Sequence, residues 1–219
     1  VDAVLDCLSC VDSSIIIISL LTSLQNCSQM GRVMYKYLFS TDCIAISIKK
    51  LRRHKNSVRV VAETFRLLVL LCLQEKKSVL VLRLEGAMHI ITETFSLPSL
   101  NNDPAVISNS ASLLALLLKK TNNKLRLLQN YPHSVKSLVT VAKSLIPGPE
   151  AEPEVEPEVE SRDSPRESPG AREGFGGTNP GITGVERMAV VAAVLPVFER
   201  LASLGDGAHS LAEAGCIGW

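Results

Sequence analysis

Val58 to Leu73 reads VRVVAETFRLLVLLCL, apolar nearly all round and with good helix formers late in the run. That is longer than a typical strand of about four to eight residues, and it reads as a buried helix. Ala105 to Lys120 (AVISNSASLLALLLKK) behaves alike. Asn102, Asp103 and Pro104 before it supply the cap and first-turn chemistry of a helix start. Val185 to Leu204 is a third such run, with Pro196 placed to kink it. The N-terminal part is rich in Ile and Val, which leaves room for strands. No run there shows clean period-two alternation bounded by hairpin turns. The expected fold class is therefore all-α.

The 219 residues are 46% apolar and carry a formal net charge of +1. That length suits one domain, or one and a half, with a sizeable core. The apolar share excludes a wholly disordered chain. Charged residues at 21% argue against a sustained coiled coil. The near-zero total conceals an asymmetry. Residues 1–146 hold 18 Lys/Arg against 9 Asp/Glu, residues 147–184 hold 3 against 9, and residues 185–219 hold 2 against 4.

The acidic middle is of a different kind. It contains Glu-Pro-Glu-Val-Glu-Pro-Glu-Val-Glu at 152–160, then two Ser-Pro pairs, then Gly174, Gly176 and Gly177. Proline removes backbone donors and the glutamates repel one another, so the segment cannot bury enough apolar area to offset its ordering entropy. Three divisions follow: helical repeats over 1–146, a disordered acidic linker over 147–184, and a further partial repeat over 185–219. The chain starts at Val1 and stops at Trp219 just as another helix begins, which suggests a fragment.

Four segments share one pattern: an apolar helix, a polar turn, a short break, then a second apolar helix. The breaks fall at 41–44, 85–88, 132–135 and 214–217. With Asp42, Gly86, His133 and Gly215 as equivalents, the intervals are 44, 47 and 82 residues. Removing the linker brings the last to about 44, inside the ~40–47 window of paired- and triple-helix repeats.

Leu82 to Met88 (LRLEGAM) and Leu211 to Ile217 (LAEAGCI) resemble the armadillo repeat, in which a short first helix ends in a Glu-x-Gly-Ala-Ile type turn before a second and a longer third helix. The resemblance implies an armadillo-like α-solenoid of about three to four repeats. It places first helices at Gln29–Thr41, Ser78–Glu85, Asn123–Asn130 and Ala208–Ala214. Second helices fall at Cys43–Arg53, Ala87–Leu97 and Ser134–Leu145. Third helices fall at Ser13–Gln25, Ser57–Leu73, Ala105–Lys120 and Val185–Leu204. Peptide-binding members clamp an extended ligand with an Asn late in each third helix. The corresponding residues here are Ser23, Leu70, Leu116 and Arg200, so that mode gives way to a helix-in-groove or flat-face contact.

The strongest polar cluster is Lys49, Lys50, Arg52, Arg53, His54 and Lys55, with Arg59 following. It reads either as an anionic-partner patch or as the solvated end of a helix. Lys76 and Lys77, Lys119 and Lys120, and Lys124 and Arg126 recur after successive third helices, where stacked repeats would align them into a basic stripe. Nucleic acid is one ligand for such a stripe, but aromatics for base stacking make up only 4% of the chain. Ser164 and Ser168 precede prolines and are candidate phosphorylation sites, and the acidic linker could mask the basic body. Tyr35, Tyr37 and Phe39 alternate within a first helix and are assigned to packing.

Cys7 and Cys10 form a C-x-x-C pair with no second pair or His pair at zinc spacing, and the thiols are read as buried. No cleavable signal peptide and no run of ~18 apolar residues occurs, so an intracellular site, cytoplasmic or nuclear, is expected. The four histidines stand apart from partners at motif spacing, and there is no H-E-x-x-H, G-x-S-x-G or P-loop. The expectation is a non-enzymatic protein-binding scaffold without metal or cofactor. An anionic-ligand binder and a regulatory fragment of a larger enzyme are the alternatives.

Overall fold

The computed structural model describes residues 1–145, 183–204, 209, 211 and 212. These are all-helical, with eleven helices and no strand among the described residues. In order they are α1 (Asp2–Cys10), α2 (Ser14–Gln29), α3 (Arg32–Ser40), α4 (Cys43–Arg53), α5 (Val58–Gln74) and α6 (Lys76–Leu84). There follow α7 (Ala87–Ser96), α8 (Pro104–Leu117), α9 (Thr121–Asn130), α10 (Pro132–Leu145) and α11 (Gly184–Ala202).

Local chemistry sets several boundaries. Asp103 caps α8, its Oδ1 accepting the Val106 amide at 2.9 Å, with Pro104 in the first turn where no donor is needed. Thr183 and Glu186 form a reciprocal capping box on α11. Gly86 joins α6 to α7 at φ +73°, the left-handed region that an L side chain enters only at a cost. Asn123 is buried and its Nδ2 donates to the Leu117 carbonyl at 2.7 Å, satisfying an acceptor at the end of α8. Helix α11 runs through Pro196, which lacks the amide that would complete the ladder there.

The long helices carry the core. Helix α2 packs on α5, α5 on α8, and α8 on α11. Leu68, Leu71, Leu114 and Leu117 are buried in one cluster with Phe65, Leu67 and Leu113. Side chains also bridge neighbouring helices. Gln25 donates to the Glu63 carbonyl and carboxylate at 3.0 and 2.8 Å, and Gln74 donates to the Ser28 carbonyl at 3.0 Å. Asn109 donates to the Ala62 carbonyl at 3.2 Å, and Arg200 to that of Ala115. Tyr35 is buried and donates to the Leu71 carbonyl at 3.2 Å, while Phe39 packs on the core. Tyr37 is instead 41% exposed and donates to Asp2.

The expected helix positions agree to within a few residues. Two differences stand out. Residues 2–10 form α1, which the sequence pattern does not mark, and α2 continues to Gln29 rather than ending at Gln25. The acidic linker lies outside the described residues from 146 to 182, as does most of the expected helix at 208–214.

Candidate functional site

The basic cluster sits on the last turn of α4 and the loop after it. Cys43, Ser47 and Lys50 recur at i, i+4 and i+7 and are all buried, so Lys50 belongs to the inward face of an amphipathic helix. Its side chain is 1% exposed. The ammonium donates to the Val11 carbonyl just past α1, and stands 3.3 Å from Asp12 Oδ1. Lys50 is thus a structural clamp between α4 and the α1–α2 connection, and not part of a surface patch; that corrects its place in the anionic-partner cluster.

Asp12 gathers the neighbouring charge. Arg53 Nη1 stands 3.4 Å from the same carboxylate oxygen, and His54 Nε2 stands 3.9 Å from it. The hydrogen bond from Lys50 and that ammonium's field hold the Asp12 carboxyl below its ordinary value, with Arg53 and His54 adding to the effect. Lys55 pairs with Glu93 at 2.8 Å, and Arg52 donates to the Glu85 carbonyl at the start of the Gly86 turn. Of the six cations expected to meet an anionic partner, Lys49 and Arg59 alone are exposed and without a polar partner among the described residues. A run of positive residues in sequence is here mostly an internal brace.

The other basic pairs are divided as well. Lys77, Lys119 and Lys120 are exposed, while Lys124 is half-buried and donates to Ser203 at 2.6 Å. Lys76 begins α6. Ser164 and Ser168 lie outside the described residues.

Two cavities open between neighbouring helices. One, of about 400 Å³, is lined by Gly31, Arg32 and Lys36 from the start of α3 and by Gln74 and Glu75 from the α5–α6 junction. Met30 and Val33 are next in sequence to the lining residues Gly31 and Arg32, and Leu73 precedes Gln74. All three are well exposed, Val33 at 85%. The second, of about 290 Å³, is lined by Arg83 of α6, Arg126 and Asn130 of α9, and Tyr131 just beyond it. Neither cavity was marked by the sequence. Arg32, Lys36 and Arg83 are isolated cations there, and only helix packing gives them neighbours.

The cysteines depart from expectation. Cys7 and Cys10 are exposed on α1 and not buried, because Leu5 and Leu8 take the inward positions of that short helix. Cys43 and Cys72 are buried, and desolvation pushes both thiols up to about 12. Among the described residues no three His, Cys, Asp or Glu side chains come together as metal ligands, and no helix is long and apolar enough to cross a membrane. Comparison with protein-family models, with characterised proteins and with solved structures finds no significant match to the chain.

Proposed function

We propose that the chain is an armadillo-like α-solenoid serving as a non-enzymatic protein-binding scaffold. The observation that carries this reading is the serial packing of the long helices, α2 on α5, α5 on α8 and α8 on α11. Helices stacked one on the next bury their apolar stripes against neighbours and leave their remaining faces as one extended surface. Met30, Val33 and Leu73 are large apolar residues left exposed on that surface, the kind of anchor that protein interfaces favour.

The positions where peptide-binding armadillo proteins place asparagine support a different mode of contact. Leu116 is buried, and Arg200 is occupied by the Ala115 carbonyl. A partner helix or flat face resting on exposed apolar anchors fits better than an extended peptide clamped through its backbone. The anionic-ligand alternative loses ground, since Lys50, Arg52, Arg53 and Lys55 are engaged within the fold.

The test is a paired capture experiment. A Val33→Ser/Leu73→Ser variant should keep its helical circular dichroism and melting profile yet lose the proteins that the wild-type chain retains from cell extract. Equal capture by both chains would refute this anchor. Steep salt-dependent binding to DNA or RNA by the wild-type chain, with no protein retained, would shift the reading to nucleic acid.

A further inference from the structure

We propose that the cavity between α6 and α9 is a binding site for a phosphomonoester carried on a protein partner, with Arg83 and Arg126 as its anion-binding pair. The choice of a protein as carrier rests on the scaffold reading; the anion chemistry does not.

The two guanidiniums differ from the cations that brace the fold. Lys50, Arg53, Lys55 and Arg200 each find an acceptor. Arg83 and Arg126 are exposed and have neither an ion pair nor a hydrogen bond among the described residues, yet both line one cavity of about 290 Å³. No Asp or Glu lines it. Two like charges brought to one concavity without a counter-charge leave a potential that favours an anion. Asn130 and Tyr131 add neutral donors to the same lining, and the Tyr131 ring is held edge-on to His89 at 6.1 Å and 87°. Gly86 lines the cavity as well and contributes no side chain to fill it.

Size and charge narrow the ligand. The cavity lies at the lower edge of the ~300–1,000 Å³ typical of drug-sized sites, room for a phosphate and the first atoms of its carrier. A phosphomonoester carries about −1.5 to −2 charges near neutral pH and three acceptor oxygens, enough to engage both guanidiniums. A single carboxylate would leave one unmatched. Arginine's planar fork suits that geometry. Beyond the polar groups the lining is Met88 and Leu117, which offers aliphatic packing to a side-chain stem, and the Tyr131 ring in the lining is already packed against His89 rather than left free for a base. Phosphoserine or phosphothreonine in a peptide therefore fits better than a nucleotide.

The test uses the full chain and four probes: inorganic phosphate, a short peptide with a central phosphoserine, the same peptide with serine, and a single-stranded RNA of similar charge. Titrations are followed by calorimetry and by NMR shifts of the Gly86 amide and the arginine side-chain NH groups. The phosphopeptide should bind and shift Arg83, Gly86 and Arg126. Arg83→Gln and Arg126→Gln should each weaken it about tenfold or more, the loss of a charge-assisted hydrogen bond. Lys136→Gln, which removes an exposed cation on α10, should leave binding unchanged. Equal binding of the serine peptide, or indifference to both arginine variants, would overturn the site. Binding of inorganic phosphate alone, or displacement of the phosphopeptide by RNA at matched concentration, would overturn the protein carrier. A null with every probe would overturn the whole proposal. Each of these outcomes is read separately from the Val33/Leu73 capture test, so failure of the cavity and failure of the scaffold reading are distinguishable.

Discussion

Gly86→Ala probes the turn that joins α6 to α7, and its cost can be assembled from the structure. Gly86 sits at φ +73°, and placing an L side chain in the left-handed region costs about 1–2 kcal/mol. Reduced freedom of the unfolded chain returns roughly 0.4–1 kcal/mol. The new Cβ would lie 3.3 Å from Arg52 Nη2, closer than ordinary contact. Arg52 is exposed, so its guanidinium can withdraw, but only by loosening its hydrogen bond to the Glu85 carbonyl, worth about 0.5–1.5 kcal/mol. The three contributions together give a net destabilisation of about 0.5–3 kcal/mol, centred near 2. Urea unfolding followed by far-ultraviolet circular dichroism measures it. Gly86→Asn should cost less, because asparagine enters the left-handed region more readily. In an Arg52→Ala background, Gly86→Ala should lose its contact contribution and keep only the backbone one. A Gly86→Ala chain as stable as wild type, or more stable, would refute the left-handed turn and with it the geometry of the Arg52 contact.

Leu114→Ala removes a fully packed side chain of α8 and should cost about 2–5 kcal/mol in the same assay. At Lys50, alanine should be markedly worse than methionine, because methionine keeps the buried stem while alanine opens a cavity beneath α1; equal losses would place the whole effect in the ammonium. Because Asp12 titrates below its ordinary value of 3.8, its contribution is present above that pH and is lost as pH falls through the lower native value; Asp12→Asn should flatten this acid limb of a stability profile. Cys43 and Cys72, pushed up to about 12, should resist alkylation of the native chain at neutral pH while the exposed Cys7 and Cys10 react, as mass spectrometry of labelled peptides would show. The same raised thiols predict stability that is intact below the ordinary thiol value of 9.0 and declines as pH rises towards 12.

Much of the fold was legible because the decisive signals are local. Val58 to Leu73 is apolar on nearly every side, and a helix so composed must be buried between others, as α5 is between α2 and α8. The Asp103-Pro104 start and the Glu85-Gly86 break mark boundaries through cap and turn chemistry that operates within four residues. Helix α1 was not legible for the converse reason. At nine residues it is too short to be stable alone, and its two buried residues, Leu5 and Leu8, are held by contacts with α2 and α4 rather than by propensity.

The candidate site was less legible, and the reason is the range over which charge is settled. One part was readable in principle: Cys43, Ser47 and Lys50 share a helix face, so a lysine following that stripe should point inward. Its acceptors could not be read. Val11 and Asp12 lie nearly forty residues upstream, and Glu93 lies 38 residues beyond Lys55. Whether a cation is a brace or a binding group depends on whether packing brings an acceptor to it, and helix packing decides that independently of the local run. Lys49 to Arg59 looks like a surface because its residues are adjacent, yet most of them are satisfied within the fold. Arg83 goes unremarked and Arg126 reads only as one member of a stripe, because the two are far apart in the chain, yet packing lines one cavity with both and provides no carboxylate. Unsatisfied charge converging on a concavity is the stronger sign of recognition, and it points away from the densest basic run and towards the α6–α9 cleft.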